Sequence, residues 1–61
     1  MAQISCKELS ALSDLLSAEQ NLIAKYQDYA CRATDSVIKD QYLQIAKRHQ
    51  RHFDELYANL K

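Results

Sequence analysis

Both histidines of this 61-residue chain, His49 and His52, stand three positions apart. On a helix that spacing places two imidazoles on adjacent turns of one face. Neutral imidazoles so arranged can ligate a metal, and a carboxylate from a facing helix can complete the set. Glu19 is the candidate carboxylate. All three residues occupy positions where a leucine is expected, and that is what separates them from the other polar groups of the chain.

The elements that must position them are legible from apolar periodicity. Leu9, Leu12, Leu16, Glu19, Ile23, Tyr26, Ala30 and Ala33 recur at alternating spacings of three and four, the repeat of a helix face packed on another helix. Ile38, Tyr42, Ile45, His49, His52 and Leu56 repeat in the same way. Continuing the first stripe would place Val37, Asp40, Gln44 and Lys47 next, which are mostly polar, so the phase slips near Thr34 to Ser36. The pattern predicts an all-α hairpin: helix 1 over about 5–33, a turn at about 34–36, and helix 2 over about 37–60. Ser5 with Glu8 forms a capping-box pattern at the first start. Thr34, Asp35 and Ser36 are all good N-cap types for the second, and Asp40 lies early enough to favour the positive end of its dipole.

In an antiparallel pair, residues at one level have position numbers with a nearly constant total. A turn near residue 34 or 35 sets that total at about 68 to 71. Glu19 totals 68 with His49 and 71 with His52, so the three polar interruptions share a level. Three readings are open: a metal site, a metal-free network in which Glu19 accepts hydrogen bonds from the histidines, or side chains that reach water through an open seam. Imidazole coordination in a bundle core is an established use of helical bundles. A buried charge is tolerated when it is paired. Tyr26 and Tyr42 also total 68 and are expected as core packing a few turns toward the hairpin turn.

Composition bounds the remaining classes. Eight basic and eight acidic residues cancel, which argues against a protein built to track nucleic acid or anionic lipid. The one basic concentration, Lys47, Arg48 and Arg51, reads as a solvated helix face. No stretch has the length of a membrane span or the form of a secretory leader, so cytoplasmic synthesis is expected. Ser5, Ser10, Ser13, Ser17 and Ser36 have no readable relation to a base and an oxyanion site, and no glycine-rich loop exists. The sequence therefore points away from an enzyme. Cys6 and Cys31 lie about 37 Å apart along one helix at 1.5 Å per residue, which excludes an internal disulfide. They read as free thiols, or as cross-links between chains in an oxidised assembly.

A hairpin of this size cannot cover its own apolar surface. Leu15, Leu22 and Tyr29 widen the first stripe, while Leu43, Ala46, Phe53, Tyr57 and Leu60 widen the second. A homodimer forming a four-helix bundle, or a higher homo-oligomer, is the expected solution. If two hairpins face each other along the polar level, two copies each of Glu19, His49 and His52 come together.

The run Leu15-Leu16-Ser17-Ala18-Glu19-Gln20, then Lys25-Tyr26-Gln27-Asp28-Tyr29-Ala30, then Ile45-Ala46-Lys47-Arg48-His49-Gln50-Arg51-His52-Phe53 resembles the spore coat protein F-like family of endospore-forming bacteria. The resemblance covers about Lys7 to Leu60 and implies a ferritin-like helical pairing, sporulation, a place in the spore coat and other coat proteins as partners. In the di-iron ferritin-like pattern each half supplies a Glu from one helix and a Glu-x-x-His from the other. Glu19 matches the first element and His52 the terminal histidine, but His49 stands where the pattern has glutamate. That departure removes a carboxylate that would bridge two irons. The cofactor expected for Glu19, His49 and His52 is a transition metal, iron or zinc. The expected function is structural self-association in a spore-coat-like protein, with a ferritin-like metal-binding protein as the alternative.

Overall fold

The computed structural model describes residues 5–60. Two helices, α1 (Cys6–Arg32) and α2 (Ser36–Ala58), pack against each other as a hairpin, and no strand occurs among the described residues. The start of α1 follows from its cap. The Glu8 N–H donates to Ser5 Oγ at 3.2 Å, and the Ser5 hydroxyl donates to Glu8 Oε1 at 3.0 Å. This reciprocal pair satisfies one of the amide donors that a first helical turn leaves free.

The chain leaves α1 without glycine. Ala33 switches to an extended conformation while its N–H still donates to the Tyr29 and Ala30 carbonyls at 3.0 and 3.3 Å. Of the three N-cap types at the turn, Asp35 takes the role: its Oδ1 accepts from Val37 N–H at 2.8 Å and Ile38 N–H at 3.2 Å. One carboxylate thus serves two opening amides and places negative charge at the positive end of α2. Replacing Asp35 with alanine is expected to cost about 1 kcal/mol. For a domain this small that lowers the melting temperature by roughly 4–8 °C. Circular dichroism melts of Asp35→Ala beside Asp35→Asn check it, because asparagine keeps the acceptor and should lose less. Arg32 pairs with Asp28 at 3.3 Å one turn apart, but both side chains are exposed, so Arg32→Ala should change stability by less than about 0.5 kcal/mol.

The inner face of α1 carries Leu12, Leu16, Glu19, Leu22, Ile23 and Tyr26 half-buried and Ala30 buried, and the capping Ala33 is half-buried beyond its end. Tyr42, Ile45, His49, Phe53 and Leu56 are half-buried on α2, with Ala46 buried. Four positions differ from the periodic expectation, and one of them, His52, is exposed at the margin of the seam. Leu9 is exposed because its level on the partner helix falls at Asn59, beyond the end of α2. Ile38 is exposed on the first turn of α2, where few neighbours reach it. Ala46, expected to widen the stripe, instead lies in the seam. Ala30 and Ala46 are 1% and 4% exposed, the only buried residues described. A methyl side chain lets the backbones approach closely, so the seam is tightest where alanine replaces bulk.

Among the described residues no large side chain is fully buried, and Leu9, Leu15, Tyr29, Val37, Ile38, Leu43, Tyr57 and Leu60 are exposed. The hairpin alone leaves these eight large apolar side chains in contact with water. Among the described residues no helix is long and apolar enough to cross a membrane. Cys6 and Cys31 are free and exposed near opposite ends of α1.

Candidate metal centre

Glu19 is the middle residue of α1, thirteen positions from Cys6 and thirteen from Arg32. The hairpin turn brings His49 of α2 to that level. His49 Nδ1 lies 2.7 Å from Glu19 Oε2, a short, strong contact between two half-buried side chains. His52 Nδ1 lies 3.7 Å from the other carboxylate oxygen, Oε1, which is too long for a hydrogen bond. Each histidine thus addresses a different oxygen of one carboxylate.

The three residues differ in how they are held. Side-chain exposure is 17% for Glu19 and 21% for His49, but 47% for His52. On one side the His49 ring stacks nearly parallel on Tyr26, centroids 6.1 Å apart with an interplanar angle of 9°. Its edge meets His52 at 5.6 Å and 87°. Packing and the Glu19 contact together fix the His49 ring, whereas His52 lies at the margin of the seam.

The sequence level did not identify Tyr26 as a support for this site. Its position seven residues beyond Glu19 suggested a separate layer, yet a long aromatic side chain spans much of that distance. The ring layer then continues toward the turn through Tyr26–Tyr42 at 6.1 Å and Tyr42–Tyr29 at 5.4 Å. These rings fill the seam between the polar level and the hairpin end.

One donor atom from each of Glu19, His49 and His52 lies within 4.8 Å of the others. Donors around a tetrahedral ion with arms of about 2.1 Å are separated by about 3.4 Å. The set therefore has to contract by little more than 1 Å, a distance within reach of side-chain torsions. Two nitrogens and one oxygen suit zinc, copper, nickel or a single iron, and three donors leave at least one coordination position open. The group has a single carboxylate, one too few to bridge a pair of irons from one hairpin.

The remaining charged and concave features lie elsewhere. Lys47, Arg48 and Arg51 are exposed on α2, and Lys47 borders the groove between the helices. A groove of about 480 Å³ runs between the helices past Ile23, Gln27, Leu43, Ala46 and Gln50. Leu43 precedes His52 by nine residues, half a revolution round the helix, so this groove opens on the flank away from His52.

Fold and site together define a helical hairpin with a two-histidine, one-carboxylate cluster at mid-length. No family model matches the chain, and no curated protein or solved structure matches it either.

Proposed function

We propose that this chain is a structural helical hairpin that binds a divalent transition metal through Glu19, His49 and His52 and acts by self-association. The convergence of three ligand-type atoms within 4.8 Å carries the metal reading. Glu19 supplies the charge and His49 the fixed ring, with Tyr26 holding its plane. His52 is the solvent-facing ligand, with room to turn onto an ion because nearly half of its side chain is exposed. The ion would draw together the two helices at the centre of their seam, where a polar trio otherwise replaces leucine contacts.

The exposed apolar side chains on both helices favour self-association, because a chain of this size gains little from a seam in which only two alanines are fully buried and the larger apolar residues are half-buried. The likeness of the Glu19, Tyr26 and His49-to-Phe53 segments to the spore coat protein F-like family favours the same structural reading, in a ferritin-like bundle assembled with other coat proteins. The test is metal analysis of protein purified without chelator, followed by dialysis against zinc. Retention of up to one zinc per chain, with a matching rise in melting temperature, is expected. Protein that releases all its zinc on dialysis and melts at an unchanged temperature would overturn the metal reading.

A further inference from the structure

Leu15, Leu22 and Tyr29 recur every seven residues on α1, and Ile38, Ile45 and His52 every seven on α2. A seven-residue step keeps each set on one side of its helix. Across the antiparallel seam they fall into three rungs, Tyr29 with Ile38, Leu22 with Ile45, and Leu15 with His52, and the position numbers of every rung total 67. Tyr29 and Ile38 do line one groove together. Leu15, Tyr29 and Ile38 are exposed, and Leu22 and Ile45 are half-buried. This flank is therefore an apolar ladder whose one polar member is the exposed metal-ligand candidate, His52. The opposite flank also has apolar residues at its grooves, Ile23, Leu43 and Phe53, but amides and the charged Asp40 and Lys47 interrupt them.

Size and symmetry indicate what covers the ladder. The hairpin measures 47 × 17 Å across its broad face. A face of that outline is large enough to supply the roughly 800 Å² of accessible surface that one partner contributes to an interface of standard size. Two equal rods bury most when they overlap along their full length, which puts a two-fold axis at their midpoint. The midpoint of α1 is Glu19. A two-fold axis at that level, whether along the rods or across them, carries the second copy's Glu19, His49 and His52 to the level of the first set. Three donors from one hairpin leave a tetrahedral ion one ligand short, and the second copy brings donors to the side on which His52 is exposed.

We propose that a second copy of this chain packs on the Leu15, Leu22, Tyr29, Ile38, Ile45 and His52 flank and completes the metal shell, so that a divalent transition metal locks the dimer. The proposal rests on the metal reading above. By linkage, an ion that binds the dimer more tightly than the monomer must strengthen dimerisation by the same factor.

Sedimentation velocity on the full chain, with chelator and with saturating zinc, tests it, with bound zinc measured on the same samples. Zinc is expected to lower the dimer dissociation constant at least tenfold. Leu15→Glu, on an exposed rung, should abolish that shift with helical content unchanged, and Leu22→Glu should do the same. Leu43→Glu, on the opposite flank, should leave it intact. Zinc bound with no change in dimer fraction would overturn this inference and leave the metal reading standing. Absence of bound zinc would remove both. A shift lost in Leu43→Glu but kept in Leu15→Glu would place the second copy on the wrong flank and overturn the inference.

Discussion

A chain carrying Glu19→Leu and His49→Leu together is expected to melt higher than the natural sequence in chelator and to show no response to zinc. The two side chains sit where the stripes of α1 and α2 call for leucine, and each is about four-fifths removed from water. Desolvating a carboxylate and an imidazole costs free energy that their mutual contact offsets only in part. Replacing a largely buried polar pair with well-packed apolar residues is typically neutral or stabilising by about 1–4 kcal/mol. At roughly 4–8 °C per kcal/mol, the upper half of that range is a large shift for so short a chain. In zinc the difference should shrink, and it reverses where the apolar gain is smaller than the metal's contribution. A natural chain held at a hundredfold excess over its dissociation constant gains about 2.7 kcal/mol, and the double variant gains none. The single change His49→Ala should be worse than either in chelator, because it leaves the Glu19 carboxylate without its 2.7 Å partner. Melts of the three proteins with and without zinc decide the matter. A double variant less stable than the natural chain in chelator would show that the Glu19–His49 contact is there for the fold.

The second large effect is expected at the seam alanines. Ala30 and Ala46 are the closest-packed points described, and a leucine at either position adds three carbons where the helices have no room. Overpacking of this kind typically costs about 1–3 kcal/mol. Ala46→Leu should lie toward the upper end, since it sits well inside α2 one turn from His49, and pushing the helices apart there also lengthens the Glu19–His49 contact. Its melting temperature should fall by more than 10 °C and its zinc affinity should fall with it. Asn21→Ala, on an exposed position of α1, serves as the control and should stay within about 0.5 kcal/mol of the natural chain. An Ala46→Leu protein that melts and binds zinc normally would mean that the seam is looser than the burial of Ala30 and Ala46 requires.

Much of this was legible before any tertiary information, and the reasons are local. Ser5 and Glu8 mark a helix start because their side chains satisfy their own backbone. The change of phase near Thr34 marks a turn because one helix cannot hold two apolar faces in register. The common level of Glu19, His49 and His52 follows from the constant rise of antiparallel helices, which makes position numbers a ruler. The choice of Asp35 over Thr34 and Ser36 as cap was not legible. All three types can cap, and only the path of the chain out of Ala33 selects among them.

The sequence by itself determined two helices, their caps, the level at which polar residues interrupt the seam, and the residue types available there. Tertiary structure decided how those residues are used. It drew His49 to 2.7 Å from Glu19 beneath the Tyr26 ring and left His52 at 3.7 Å on an open flank. It also moved Ala46 into the seam and left Leu9 outside it. The physical reason is that periodicity fixes a residue's height and angle on its own helix, whereas burial depends on where the second helix lies and ends. The axial offset of α1 and α2, set by a three-residue turn and two close-packed alanines, belongs to neither helix alone.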